Sequence, residues 1–281
     1  MTDELPSERA FWERRAAAWE RRIDAMNLFS DAYGVPAMDA LAVQTGERIV
    51  DVGCGPGATS VELGARVGPT GEVIALDIAQ GMVDAARRRA DKAGATNVRP
   101  VLHDLEEAPI DGALDAAFSR FGVMFFPAPE RAFANIAASL RTGGRFAASV
   151  WGSLGENPWM FVPTLASAGL LGVELALPGP GQPGPFSLAE PDHVTSLLEG
   201  AGFADVAIKP IAGARRISEA DAGTEVATLL EVGPVGEAFG QADAAMQQKA
   251  IDAVVEAIEP FRDGDGWSLS GAALLVTAFR P

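Results

Sequence analysis

Ile49-Val50-Asp51-Val52-Gly53-Cys54-Gly55-Pro56-Gly57-Ala58-Thr59-Ser60 is the stretch that decides the fold. It begins as a short apolar run of the β-branched type that packs on a pleated, buried surface. Glycine then occupies three alternate positions. Beyond them Val61, Leu63, Ala65 and Val67 stand among small and polar residues in a helical pattern. A strand that feeds a glycine turn that feeds a helix is the first unit of a nucleotide-binding α/β sheet. Glycine is needed because the backbone must turn tightly and admit a ligand that a β-carbon would block.

A second apolar run, Val73-Ile74-Ala75-Leu76-Asp77, ends in a carboxylate 77 − 57 = 20 residues after the last of those glycines. In such sheets a carboxylate at about that distance accepts hydrogen bonds from a ribose diol. The ligand expected is therefore a nucleoside derivative. A dinucleotide fingerprint needs G-x-G-x-x-G. Here Ser60 stands where the third glycine would fall, and residues 53–57 read G-x-G-x-G.

Further pieces follow in order: Ala75-Leu76-Asp77-Ile78-Ala79-Gln80-Gly81-Met82, His103-Asp104-Leu105-Glu106 and Leu140-Arg141-Thr142-Gly143-Gly144-Arg145. With these the chain resembles the class I S-adenosylmethionine (SAM)-dependent methyltransferases, in particular the small-molecule type of ubiquinone and menaquinone biosynthesis. The resemblance runs over roughly residues 8–210 and the last strand. It implies an α/β fold: a Rossmann-like, seven-stranded, mostly parallel sheet with helices on both faces. It also implies SAM as cofactor. Gly53, Gly55 and Gly57 would lie against its methionine and ribose portion, and Asp77 would take the ribose hydroxyls. Asp104 would take the adenine amino group, the Leu105 amide a ring nitrogen, and Ile78 and Met82 the ring faces. Trp19, Asp51 and Ser119 complete the implied cofactor set.

Composition narrows the function. The chain has 281 residues, 48 % of them hydrophobic, which suits one domain of ordinary enzyme size with a cap. No apolar run is long enough to span a membrane. The N-terminus is acidic and does not read as a signal peptide. One cysteine, Cys54, excludes an internal disulfide and suits a reducing, cytoplasmic setting. A net charge of −16 repels a phosphate backbone, and no basic stripe offsets it. The arginines at 14, 15, 21, 22 and 87–89 read as solvated helix charge. No Asn-Pro-Pro-Tyr-like segment follows the fourth strand. A nucleic-acid substrate is thus disfavoured, and a small-molecule methyl acceptor is expected. No His/Cys cluster suggests a metal.

The chain divides into an N-terminal helical segment (1–45), a SAM-binding core (46–151), an insertion (152–186), the rest of the core sheet (187–212 and 269–281) and a second insertion (213–268). The first segment reads as a helix over 7–26, with a second helix over 36–42. Residues 187–190, Ser-Leu-Ala-Glu, read as a capping box for a helix ending at Gly200. Residues 157–177 read as an apolar helix before a glycine-proline loop centred on 177–185. Helical patterns cover 219–230 and 241–261. The two insertions read as a cap over the substrate side, with a helical homodimer interface as the competing use.

Methyl transfer from a sulfonium is an in-line displacement. Much of its acceleration comes from holding the nucleophile aligned in a water-poor pocket. A base is needed only if the acceptor arrives protonated and is not acidic. His103 and His193 are the only histidines, and neither suits that role. No catalytic residue is assigned. Candidates to line an acceptor site are Trp12, Tyr33, Arg120, Phe121, Met124, Trp151 and Trp159. Arg120 either holds an acidic acceptor or pairs with a nearby carboxylate. The competing functions are a SAM-binding regulatory protein without turnover and a nicotinamide oxidoreductase.

Overall fold

A computed structural model of the protein describes residues 7–175 and 182–281. The extreme N-terminus and residues 177–181 of the expected glycine-proline loop lie outside the described residues. Apolar runs become the parallel strands β1 (Arg48–Val52), β2 (Glu72–Asp77), β3 (Val98–Leu102), β4 (Leu114–Arg120) and β5 (Leu140–Trp151). Longer strands β6 (Ala204–Ser218) and β8 (Gly266–Phe279) and a two-residue β7 (Arg262–Asp263) complete the sheet. Its order is β3-β2-β1-β4-β5-β8-β6, with β7 paired to β8 off this path. The expected seven strands form the path; β7 is an eighth. Strands β1 to β5 pair in parallel, and β8 lies antiparallel to β5.

Parallel strands joined by helices are covered on both faces, which is why β1 and β2 read as continuous apolar runs. Ile49 and Val73 are fully buried and share one cluster with Leu63 and Val67 of α2 (Ala58–Val67) and with Ala86 and Ala90 of α3 (Gln80–Ala93). Helix α4 (Pro129–Ser139) leads from β4 to β5. The chain reverses its direction of sheet growth between β1 and β4, where the first connection runs to β2 and a later one to β4. In open α/β sheets ligands bind beyond the carboxyl ends of the strands at such a switch point.

The N-terminal segment differs from expectation. It is one helix, α1 (Glu8–Leu41), which continues through Gly34 and Pro36. Its buried face runs Ile23, Met26, Ser30, Tyr33, Ala37 and Leu41, at three-and-four spacing. Gly34 serves a close approach. A β-carbon on Gly34 would lie 2.5 Å from Cδ of Arg120. The capping box is also corrected. Helix α6 (Pro191–Gly200) starts with Glu190 as its N-cap and no side-chain cap bond, while the Ser187 hydroxyl donates to the Met124 carbonyl at 2.6 Å.

The described residues fall into two units. The first holds 7–151, 182–211 and 273–281, and so contains α1 and β1 to β5. The second holds 152–175 and 212–272. Within it the apolar helix α5 (Pro158–Ala168) is shorter than expected. The expected pair of helices is three: α7 (Ala222–Val232), α8 (Gly236–Gln241) and α9 (Ala244–Ala257). Asn157 organises this unit. Its amide donates to the Ser153 and Ala272 carbonyls and its oxygen accepts from Ala272 N and from the Trp159 indole at 3.0 Å. No helix among the described residues is long and apolar enough to cross a membrane.

Candidate functional site

The glycine turn leaves β1 with all three glycines in the left-handed region, at φ 68° for Gly53, 52° for Gly55 and 81° for Gly57. Their surroundings differ. A β-carbon on Gly53 would lie 2.8 Å from Cα of Gly122, and one on Gly57 would lie 2.9 Å from Cα of Ala86 on α3. One on Gly55 would meet nothing within 4 Å. Gly53 and Gly57 thus let protein backbone approach, and Gly55 alone faces open space. Gly57 is also the N-cap of α2, with no side chain bonded to the first-turn amides.

Two buried carboxylates stand beside this turn. Asp77, at the end of β2, accepts from Gly55 N at 2.9 Å through one oxygen and from Ala79 N at 3.0 Å through the other. Burial pushes its pKa up to about 6. Asp51 lies beneath the turn. One of its oxygens accepts from the hydroxyls of Thr59 and Ser60, each at 2.6 Å. The other is buried with no hydrogen-bond partner. Burial raises Asp51 as well, against the lowering effect of those hydroxyls and of the Arg120 charge. Cys54 is buried between the two acids, and desolvation with their negative charge holds its thiol protonated. Such a site favours a cation, which would relieve both carboxylates.

The expected adenine residues lie at the ends of β2 and β3. Asp104 accepts from Glu106 N at 2.9 Å, and its other oxygen stands 3.7 Å from the Arg9 guanidinium. Leu105 is buried. Ile78 and Leu102 face Ser7, Arg9, Ala10, Glu13 and Gln80 across a cavity of about 300 Å³. Met82 is buried with Ala16 and Ala79 under Trp12 and Trp19, and the Trp19 indole N–H is buried without a partner. Ser119 ties the switch point together. Its hydroxyl donates to the Val52 carbonyl at 2.8 Å and accepts from Gly122 N at 3.3 Å.

The candidate acceptor residues separate into groups. Tyr33, Phe121 and Trp151 come together with Phe29, a residue the sequence did not single out. Phe121 stacks on Trp151 at 3.8 Å with 6° between planes, and Tyr33 meets the edge of Trp151 at 5.0 Å. Trp12 lies apart, edge-on to Phe125 at 4.8 Å. Met124 is fully buried. Its sulfur accepts from Trp151 N and its carbonyl from Ser187 Oγ. Trp159 belongs to the second unit. Arg120 is engaged within the protein: its guanidinium donates to Asp31 and Asn27 of α1, both at 2.7 Å. The partners were legible in principle, since Asn27 and Asp31 lie four apart on one helix face. The sequence also missed Glu13, whose carboxylate accepts from Gly81 N in the first turn of α3. His103 is bonded to the Ala108 carbonyl, and His193 is exposed on α6.

The chain is similar in sequence and fold to known methyltransferases. Residues 49–144 match the family of methyltransferase domains. Aklanonic acid methyltransferase DauC of a Streptomyces species (strain C5) is 36 % identical over 120 residues, covering 42 % of this chain and 54 % of the relative. The ubiquinone/menaquinone biosynthesis C-methyltransferase UbiE of Stutzerimonas stutzeri is 37 % identical over 102 residues, covering 36 % and 40 %. The chain thus spans about half or less of the length of these relatives. In fold it is similar to Haemonchus contortus phosphoethanolamine N-methyltransferase 2, solved with SAM, at a TM-score of 0.60 and 15 % identity, covering all of this chain and 61 % of that one. It is likewise similar to YcgJ of Bacillus subtilis at a TM-score of 0.57 and 17 % identity, covering 89 % and 98 %. Residues 49–144, with the glycine turn and both buried acids, match the methyltransferase domain family, and the sheet that carries them is Rossmann-like, similar in fold to that of the phosphoethanolamine N-methyltransferase.

Proposed function

We propose that the protein is a SAM-dependent methyltransferase acting on a small, largely apolar or aromatic metabolite. The observation that carries this is the open face of Gly55 beside Asp77, above the partnerless buried oxygen of Asp51. These residues fit the cofactor. The Asp77 carboxylate keeps lone-pair capacity for a ribose hydroxyl beyond its backbone amide donors. The second Asp51 oxygen suits an ammonium, and the pair of buried acids suits a sulfonium. Gly53, Gly57 and Ser119 hold the turn in shape, and Asp104, Leu105, Ile78, Met82 and Trp19 form the adenine end. When bound, SAM supplies an electrophilic methyl group.

The chain's own part is to orient and to exclude water. Neither histidine is placed to act as a base, which suits an acceptor that brings an acidic or already nucleophilic atom. The name of DauC, an aklanonic acid methyltransferase, points the same way, since it refers to an organic acid. The protein's charge of −16 disfavours a nucleic-acid partner, whose phosphate backbone it would repel. A homodimer and a cytoplasmic location are consistent with this reading.

The test has two arms. Calorimetry with SAM, S-adenosylhomocysteine and NAD should show binding of the first two only. Metabolite extracts incubated with protein and SAM should then show a species heavier by one methylene. Binding of SAM without any such product would favour a regulatory role, and binding of NAD alone would refute the reading.

A further inference from the structure

Asp51 stands where the sheet itself gives a carboxylate no use. On the central strand β1 its neighbours in register are Ala75 of β2 and Phe118 of β4, both fully buried. A charge taken out of water at such a place is costly unless it is paired and hydrogen-bonded. Its partners come from the first turn of α2. The buried hydroxyls of Thr59 and Ser60 both donate to the same oxygen, Oδ2, each at 2.6 Å. Oδ1 is buried and has no hydrogen-bond partner. Elsewhere in this chain the helical hydroxyls of Ser30, Ser139, Thr164, Ser167 and Thr228 each donate to the carbonyl four residues before, the usual local bond of such side chains. Thr59 and Ser60 reach across to β1 instead.

We propose that Thr59 and Ser60 are positioning residues for the cofactor: by filling one oxygen of Asp51 they leave the other as a bare acceptor for the cofactor's ammonium group. This rests on the methyltransferase reading. Asp51 belongs to that site, since its charge reaches Asp77, which accepts from Gly55 N, and Gly55 faces open space. Two short hydroxyl bonds take up Oδ2, so a cation gains most at Oδ1. The same bonds favour the ionised acid. Burial raises the Asp51 pKa, and both hydroxyls and the Arg120 charge from β4 oppose that rise. The other titratable groups here are Asp77 and the Cys54 thiol, which stays protonated. Without the hydroxyls Asp51 would take up a proton more readily and lose the charge that an ammonium needs. Capping α2 does not account for the pair, because Gly57 is its N-cap and no side chain bonds there.

The experiment titrates two ligands into the parent, Thr59→Val, Ser60→Ala and the conservative Thr59→Ser. One ligand is S-adenosylhomocysteine. The other is its des-amino analogue, in which hydrogen replaces the α-amino group. The parent should bind S-adenosylhomocysteine the more tightly. Thr59→Val and Ser60→Ala should each weaken it about ten-fold and leave the analogue unchanged, while Thr59→Ser binds like the parent. The ratio of the two affinities is then followed with pH. Both ligands carry the ribose, so the titration of Asp77 cancels from that ratio. The ammonium needs ionised Asp51, so the ratio falls as pH drops. Loss of a hydroxyl raises the Asp51 pKa further, so in Ser60→Ala the fall should come at higher pH than in the parent. A merely structural pair would lower the melting temperature and move neither the ratio nor its pH profile. The proposal is overturned if the parent does not distinguish the two ligands, if both weaken alike in the variants, or if the pH profiles coincide. Should Thr59→Val not fold, Ser60→Ala and Thr59→Ser decide. Failure of the parent to bind either ligand refutes the methyltransferase reading and this proposal with it; the other failures leave that reading standing.

Discussion

Gly53 and Gly122 meet backbone to backbone. A β-carbon on Gly53 would lie 2.8 Å from Cα of Gly122, and one on Gly122 would lie 2.9 Å from Cα of Gly53 and 2.7 Å from the Val52 carbonyl oxygen. The turn after β1 is thereby pressed onto the turn after β4, at the switch point of the sheet. Ser119 fastens the same contact by its two hydrogen bonds. Gly55, two residues along, touches nothing on its Cα face.

This contrast predicts separable effects of alanine. Gly53→Ala combines a left-handed alanine with a backbone clash and should cost about 3 kcal/mol of stability. Gly122→Ala has only the clash and should cost about 2 kcal/mol. Gly55→Ala should cost only about 1 kcal/mol, but its methyl enters the space assigned to the cofactor. Chemical denaturation and S-adenosylhomocysteine calorimetry on the three variants check this. A Gly55→Ala protein that binds like the parent would place the cofactor elsewhere.

Asp77 should give the protein a characteristic pH response. Burial raises its pKa from 3.8 to about 6, so the folded chain holds this proton more tightly than the unfolded one. The stability so gained is full below pH 3.8 and is lost as pH rises through about 6, a change of about 3 kcal/mol in the ligand-free protein. Ribose hydroxyls need the ionised acid. S-adenosylhomocysteine should therefore bind about ten-fold more weakly at pH 5 than at pH 7. Asp77→Ala should bind it weakly, by about 2–4 kcal/mol, and without that pH dependence. A calorimetric pH series on both proteins measures it.

Much of the site was legible in the sequence because its signals are local. The 49–60 stretch, the acid ending β2 and the acid after β3 are each set by adjacent residues, and the structure has a strand, turn or helix where each was read. What was not legible depends on partners distant in sequence. Gly34 carries no local signal of its role, yet it is small where the Arg120 stem crosses it. Pro36 reads as the start of a second helix, yet burial of Tyr33, Ala37 and Leu41 carries the first helix through it. Residues 187–190 have the composition of a capping box, but Ser187 bonds Met124 instead, 63 positions away. Phe29 gave no signal, since an aromatic residue on a buried helix face is ordinary core until its neighbours are known.

Asp104 provides a direct test of the adenine end. Its carboxylate already accepts from Glu106 N, and the Arg9 guanidinium stands 3.7 Å away and half-exposed. An ion pair of that kind contributes at most about 1 kcal/mol, so an adenine amino group can compete for the same oxygen. Asp104→Ala and Asp104→Asn should each weaken S-adenosylhomocysteine by about 1–2 kcal/mol, while Arg9→Ala should not weaken it. If both Asp104 variants bind like the parent, the adenine is held by other residues.

The last prediction decides what Arg120 is for. A lone arginine near an acceptor site suggests an anchor for an anionic substrate. Its geometry argues for a structural tie. The side chain is 10 % exposed, bonded to Asp31 and Asn27, with its stem against Gly34. Burial lowers its pKa while the Asp31 and Asp51 charges oppose that. Arg120→Ala removes the packing of the stem, both bonds to α1 and the cation that faces Asp51. It should cost about 2–3 kcal/mol, at the lower end for a buried pair because Asp31 is half-exposed. Asp31→Ala leaves the guanidinium bonded to Asn27 and near Asp51, so it should cost less, about 1 kcal/mol. If Arg120 were an anchor, Arg120→Ala would leave the unfolding midpoint unchanged and abolish binding of a carboxylate probe such as 1-naphthoate. If it is a tie, the midpoint falls in both variants in that order, and any 1-naphthoate affinity persists in Asp31→Ala.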